Sequence, residues 1–536
     1  MPAPPSNSTA KSAGKIMAAI LGSRLLGLAR EMVLSGIFGA SRELDALKVA
    51  FRIPNMLRDL FAEGALSSAF VPTFSKLLVT DGRPAALRLA SLVFNALLVT
   101  LGVVCLLGVL CSGPIVSVIA PDFAATSGKL PLTVTLTQIM FPFILFAALA
   151  ALYMGLLNSL GSFGLPASAS MAFNLVSIVS GVVIAWCLDH TFADKEKCVY
   201  GFAGGVLLGG LAQWLIQAPR ARQLGFRHRL ELDWRDRGLL KVIRLMGPAI
   251  IGVSAVQINV LVMTRFAASF GNGAVTWLDN AFRLTQLPIG LFGVAISMVT
   301  LPAVSRSAAV HNMDEFRRGL RAGLRYMLFL AVPATVGLWL LATPVISALF
   351  QWGAYTAADV ARTAGLLRYY TVGLLGYAAI KVLAPAFYSL NRPLVPTLVS
   401  VSGIGLNLAL IWLAVSVLRW DLFSLPLAVS LAALLNAALL WLWLHRRVGV
   451  IADRAFMVSA GKILLATLLM AALVRGLYYF VTASVGDGGK IFTVVQALIL
   501  SGAGVLAYFT AAWLLGLEEI RRLWQALTVK LFNSGR

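Results

Sequence analysis

Apolar residues run through this chain in continuous stretches of about 20, with short polar segments between them. Each stretch is long enough to cross a hydrocarbon core of about 30 Å as a helix. The apolar positions do not alternate with polar ones, which excludes a transmembrane β-barrel. The pattern predicts helices over 13–39, 43–79, 85–113, 131–158, 166–187 and 199–219. It then predicts 240–269, 275–306, 317–346, 359–390, 394–417 and 425–445, followed by 456–482 and 491–516. The expected fold is an all-α polytopic membrane protein of about 14 helices, arranged as six plus six plus two.

The six-plus-six division rests on an internal repeat. Ala50-Phe51-Arg52 matches Ala281-Phe282-Arg283, and Leu60-Phe61-Ala62 matches Leu291-Phe292-Gly293. Pro72, Ser75 and Lys76 then match Pro302, Ser305 and Arg306, and Phe38-Gly39 matches Phe270-Gly271. Ser159-Leu160 and Pro166 likewise match Ser389-Leu390 and Pro396. A near-constant offset of roughly 230 residues indicates two related halves. Transporters are often built this way, with the site between the repeats. The expected domains are an N-terminal lobe at 1–222, a C-terminal lobe at 223–447, and two extra helices within 448–536.

Composition agrees with the pattern. The 536 residues are 59% hydrophobic and 12% charged, with a mean hydropathy of +0.86, whereas soluble proteins carry about 25% charged residues. A net charge of +22 would suggest nucleic acid in a soluble protein; in a membrane protein it first reports orientation. The basic residues gather in 76–88, 220–244, 306–325, the His445-Arg446-Arg447 turn and the C-terminal tail. The opposite loops hold little beyond Lys129, Lys195, Lys197, Arg419 and Lys490, partly offset by acids. The positive-inside rule therefore places both termini in the cytoplasm. The polar start MPAPPSNSTAKSAGK shows no cleavable signal. Four cysteines have no metal-site spacing. Cys187 and Cys198 flank one short loop, and their pairing depends on whether it faces an oxidising side.

Charges inside the predicted helices carry the functional reading. Arg24 and Arg30 lie six residues apart on the first helix, roughly 120° around its axis. Arg52 and Arg58 repeat the spacing on the second helix, Arg283 sits on its counterpart in the second half, and Lys381 follows later. Each such cation costs about 2.5–3.5 kcal/mol at a bilayer centre unless it faces water or a partner. Ion pairs such as Arg30 with Glu31 and Arg58 with Asp59 and Glu63, or snorkelling near helix ends, account for single residues. They account less well for the set. Cationic excess points to an anionic ligand, and planar guanidinium forks favour phosphate. Pro54, Gly64, Pro72, Pro288, Gly290, Gly293, Pro302 and Pro385 interrupt the same helices, where bends are expected.

No enzyme signature accompanies these charges. The four histidines lie in or beside loops, and no GxxxxGK[ST] phosphate loop is present. The expectation is a secondary transporter without cofactors, coupled to the membrane potential or to an ion of unknown identity.

Several motifs resemble the MurJ (MviN) family of lipid II flippases, within the superfamily of multidrug, oligosaccharidyl-lipid and polysaccharide exporters. They are Ser23-Arg24-Leu25-Leu26-Gly27 with Ala29-Arg30-Glu31, Phe38-Gly39-Ala40, Asp45-Ala46, Pro54-Asn55-Met56-Leu57-Arg58, and Phe61-Ala62-Glu63-Gly64-Ala65 through Pro72. In the second half Gly252-Val253-Ser254 with Gln257-Ile258, Arg283, Pro288, and Lys381-Val382-Leu383-Ala384-Pro385 through Ser389 also fit. The resemblance implies two six-helix bundles around a cationic cavity, with the last two helices forming a groove for a polyprenyl tail. It implies Arg24, Arg30, Arg58 and Arg283 as headgroup-binding residues, with Asp45, Glu63, Lys381 and Arg52 as secondary cavity or gating positions. Phe282, Gln286 and Asp59 depart from the family pattern, so a gating role is not carried over there.

The resulting expectation is a flippase of the bacterial cytoplasmic membrane. It would move lipid II, an undecaprenyl-diphosphate-linked disaccharide-peptide, by alternating access, with membrane lipids and cell-wall synthesis proteins as further partners. A flippase for another polyprenyl-diphosphate oligosaccharide shares the phosphate logic. A multidrug or cation antiporter would call for acidic cavity residues, and a non-transporting scaffold would not need intramembrane arginines.

Overall fold

The computed structural model describes residues 7–309, 312–485 and 489–521 of the chain, and every regular element in them is helical. Contacts divide the chain into two compact units, Met1–Thr276 and Trp277–Arg536.

The first unit contains α1 (Asn7–Phe38), α2 (Arg42–Arg58), a π-helical segment Asp59–Leu66, and α3 (Ser67–Thr80). It continues through α4 (Gly82–Leu110), α5 (Ser112–Ile119), a 3-10 turn Pro121–Ala125, α6 (Lys129–Met140) and α7 (Phe143–Ser159). Then come α8 (Gly164–Leu188), α9 (Lys195–Leu215), α10 (Ala218–Gln223) and α11 (Arg237–Ala268). The repeat divides the sequence at 222/223, whereas contacts divide it at 276/277, so α11 packs as part of the first unit.

The second unit holds most of α12 (Ala274–Ala309), then α13 (Met313–Leu340), α14 (Ala342–Phe350), α15 (Ala357–Val372) and α16 (Leu374–Ser389). It ends with α17 (Leu394–Trp412), a π-helical segment Leu413–Val417, α18 (Ser424–Val448), α19 (Arg454–Val485) and α20 (Lys490–Leu514). Each of the fourteen predicted stretches is helical. Ten helices among the described residues are long and apolar enough to cross a membrane. The remaining four stretches, α1, α2–α3, α11 and α12, include those that carry Arg24, Arg30, Arg52, Arg58 and Arg283.

Small residues set the closest packing of the first unit. Gly201, Gly205 and Gly209 recur every four residues on α9 and so share one face. That face meets α8 at backbone distance: a Cβ at Gly205 would lie 2.7 Å from the Ser177 carbonyl oxygen and 2.8 Å from Gly181 Cα. Lipid offers no hydrophobic drive between helices, so close van der Waals contact supplies the association. The adjoining core joins Phe38, Leu44, Leu47, Phe143, Phe173 and Phe202. In the second unit, α13, α16 and α18 bury Leu320, Leu324, Val382, Phe387 and Leu440. There α13 also packs on α19 and α20, where the buried Tyr508 hydroxyl donates to the Phe329 carbonyl at 2.7 Å.

The α8–α9 loop is held by one carboxylate. Asp189 accepts from the Asp194 amide at 2.7 Å and from the Thr191 hydroxyl at 2.8 Å, and these bonds lower its pKa to about 2. Cys187 and Cys198, on either side of it, are free thiols, with Cys198 buried.

Candidate functional site

In the first unit α1 and α2 meet through charged residues. Arg30 Nη2 lies 3.2 Å from Glu31 Oε1, and Glu31 Oε2 lies 3.0 Å from Lys48 Nζ. One carboxylate thus sits between two cations, one oxygen facing each. All three side chains are 12% exposed or less. The Arg30 guanidinium also lies 5.7 Å from the Phe51 ring centroid and 5.5 Å from that of Phe173 on α8. Aromatic faces attract a guanidinium and fix its plane. Arg24, almost two turns earlier, is exposed.

Arg58 closes α2 where the backbone changes from α- to π-helix. Its Nε and Nη2 reach Asp59 Oδ1 at 3.1 and 2.7 Å, and Gln257 Nε2 on α11 donates to Asp59 Oδ2 at 3.1 Å. π-helical turns widen the helix and often accompany functional sites. Here the turn falls in the FAEGA run, between Pro54 and Pro72. The equivalent α12 instead runs as one continuous helix through Pro288 and Pro302. Glu63 lies in the π-helical segment, with its side chain outside the described residues. Arg52 is half-buried.

Asp45 is part of the interior. Its carboxylate is fully buried and receives Lys129 Nζ at 3.1 Å, the Gly273 amide at 2.7 Å, and the Thr276 amide and hydroxyl at 3.0 and 2.8 Å. Lys129 also donates to Asn272 Oδ1 at 2.9 Å and stands 3.9 Å from the Phe123 ring centroid. The sequence places Lys129 among the loop charges; the structure buries it at the start of α6. No local signal marks that burial, because its partner comes from α2.

In the second unit Arg283 and Asp279, one turn apart on α12, approach to 4.0 Å, with Arg283 about one-third exposed. That spacing gives a looser pair than those of Arg30 and Arg58. Lys381 is exposed on α16. The Arg30–Glu31 and Arg58–Asp59 ion pairs are therefore present, the Glu63 side chain lies outside the described residues, and Arg30, Lys48 and Glu31 form a single cluster with Phe51. Lys48, Lys129 and Gln257 join these networks, although the sequence reading assigns none of them a role in the site. The chemistry on offer is electrostatic: guanidinium and ammonium groups that can hold oxyanions, positioned by carboxylates and rings.

Comparison with known proteins places the chain in a family. The sequence model of the family described as "Lipid II flippase MurJ" matches residues 34–495. A probable lipid II flippase MurJ of Bdellovibrio bacteriovorus is 35% identical over 515 residues, covering 96% of each chain. The lipid II flippase MurJ of Burkholderia cenocepacia is 34% identical over 79% of this chain and 81% of its own. A solved lipid II flippase MurJ in an inward closed conformation superposes with a TM-score of 0.74 at 24% identity, over 93% of this chain and 97% of that one. An inward-facing multidrug transporter of the MATE family shares the fold at a TM-score of 0.66 and 14% identity, over 80% of this chain and 95% of that one. With a family match running through both halves and relatives above 30% identity over nearly the full length, the chain belongs to the MurJ family of lipid II flippases.

Proposed function

We propose that this chain moves lipid II from the cytoplasmic to the outer leaflet of the bacterial inner membrane. The match of residues 34–495 to the lipid II flippase family carries this reading. The cations inside α1, α2 and α12 give it a physical basis. Arg24, Arg30, Arg58 and Arg283 bind the diphosphate and headgroup; Asp45, Glu63, Lys381 and Arg52 shape or gate the path. The chain crosses the membrane fourteen times with both termini in the cytoplasm, as its basic loops suggest. The lobes are 1–222 and 223–447, and the helices in 448–536 accept the polyprenyl tail. Transport runs by alternating access of the two lobes and uses no nucleotide. An inside-negative potential favours outward movement of an anion by about 2.3 kcal/mol per net charge per 100 mV. An ion gradient adds to this where one is coupled.

The test is to deplete the resident lipid II flippase of a bacterium and supply this chain. Externally accessible lipid II is then assayed beside growth. Restoration of both supports the proposal. Growth failure with normal membrane levels and no external lipid II overturns it.

A further inference from the structure

The second unit contains a pocket of about 240 Å³ on the flank of α19, separate from the cations proposed to bind the transported headgroup. Trp339 at the end of α13, Arg368 on α15, and Val474, Arg475, Tyr478 and Tyr479 on α19 line it. Arg475 sits about two turns before the end of the membrane span Arg454–Ala483, and Arg368 about three turns after the start of Ala357–Ser389. The helices run so that both ends lie on the face opposite the basic 306–325 and 445–447 segments. The surroundings are apolar and open: Leu468, Leu469, Leu473 and Phe480 are all about half exposed or more on the same helix as Arg475.

Both arginines reach toward that face. Arg475 Nη2 donates to the Tyr479 hydroxyl at 3.1 Å, one turn nearer the helix end, and its guanidinium lies 5.3 Å from the Tyr479 ring centroid. Arg368 donates to Thr343 Oγ1 at 3.0 Å and to the Trp339 carbonyl at 3.4 Å. No acidic side chain lines the pocket, and among the described residues neither arginine forms an ion pair with a carboxylate. Two guanidiniums in one small cavity, beside hydrocarbon, need a counter-charge, and each has donors left after these bonds. Trp and Tyr are the side chains that favour the headgroup level of a membrane.

We infer that this pocket binds the phosphate of an anionic phospholipid in the outer leaflet, shared between Arg368 and Arg475, with the acyl chains lying along α19. A guanidinium pair suits a phosphodiester, and the open, apolar approach suits a ligand that arrives from the bilayer. The inference does not depend on which lipid the chain transports.

Native mass spectrometry of the delipidated full chain in detergent tests it. The chain is titrated separately with phosphatidylglycerol, phosphatidylcholine, undecaprenyl phosphate and inorganic phosphate. The expected result is a phosphatidylglycerol adduct weakened at least five-fold in R475Q, an exposed position, and further in R368Q/R475Q. Phosphatidylcholine binding should stay unchanged, and inorganic phosphate should not displace the lipid. R368K/R475K, which keeps the charge, should bind between wild type and the double Gln variant. Equal phosphatidylglycerol binding by wild type and R475Q would overturn the assignment. So would an arginine-dependent adduct seen with undecaprenyl phosphate alone, or displacement by inorganic phosphate.

Discussion

Lys129 Nζ lies 3.1 Å from Asp45 Oδ2, both side chains essentially buried, although 84 residues separate them. The pair ties α6 to α2, and the same carboxylate receives the Gly273 and Thr276 amides. Removing one partner leaves an uncompensated buried charge, at a cost of about 3–5 kcal/mol. D45N and K129M should each lower the unfolding temperature and the membrane level. D45N/K129M should recover part of the loss. A double variant as unstable as the sum of the two singles would show that the residues do not interact.

Arg30 owes its orientation to Phe51, Phe173 and Glu31. Lysine keeps the charge but loses the planar fork and weakens the ring contacts, worth about 0.5–2 kcal/mol. R30K should reach near-normal membrane levels yet support growth poorly in a flippase-depleted strain. Full rescue by R30K would mean that charge alone suffices at this position.

Gly205 meets α8 with no room for a side chain. Leucine there must push α9 away from Ser177 and Gly181, breaking the tightest interface of the first unit. Overpacking typically costs about 1–3 kcal/mol, and the contact here is with backbone, which cannot swing aside. Membrane levels of G205L should fall sharply. Wild-type levels and unfolding temperature would contradict the packing described.

His228 gives a pH dependence with a defined sign. Its ring packs against Phe94 in a tilted contact, 4.4 Å between centroids, and its Nε2 lies 2.8 Å from Asn95 Oδ1. The Asn95 amide donates to the carbonyls of Arg229 and Glu231, so Asn95 Oδ1 accepts from the imidazole. Partial desolvation against Phe94 and Asn95 lowers the His228 pKa below its ordinary 6.5. As pH falls through 6.5 the unfolded chain gains a proton that the folded chain resists, so stability declines until the folded-state pKa is passed. Above 6.5 the contribution is flat. H228Q keeps a donor for Asn95 and should show a smaller drop in unfolding temperature between pH 7.5 and 5.5. An identical drop in both proteins would assign the dependence elsewhere.

The helical stretches were legible because bilayer thickness dictates their length, and the arginines because charge inside such stretches is rare. The breaks at Cys111 and Phe141-Pro142 and the π-helical turn at 59–66 were not, because they depend on local packing more than on hydropathy. Proline alone was a poor guide: α12 continues through Pro288 and Pro302. Lys129 read as a loop charge because its position beside a helix start says nothing about Asp45. The pairs Arg30–Glu31 and Arg58–Asp59 were legible as adjacent residues, whereas Lys48 and Gln257 join them only through the folded arrangement of helices.

The cationic path is tested most directly by replacing Arg24, Arg30, Arg58 and Arg283 one at a time with alanine in a flippase-depleted strain. Membrane levels and externally accessible lipid II are measured together. The account predicts that the wild-type chain restores external lipid II and that well-expressed alanine variants do not. Normal external lipid II in all four variants would contradict it.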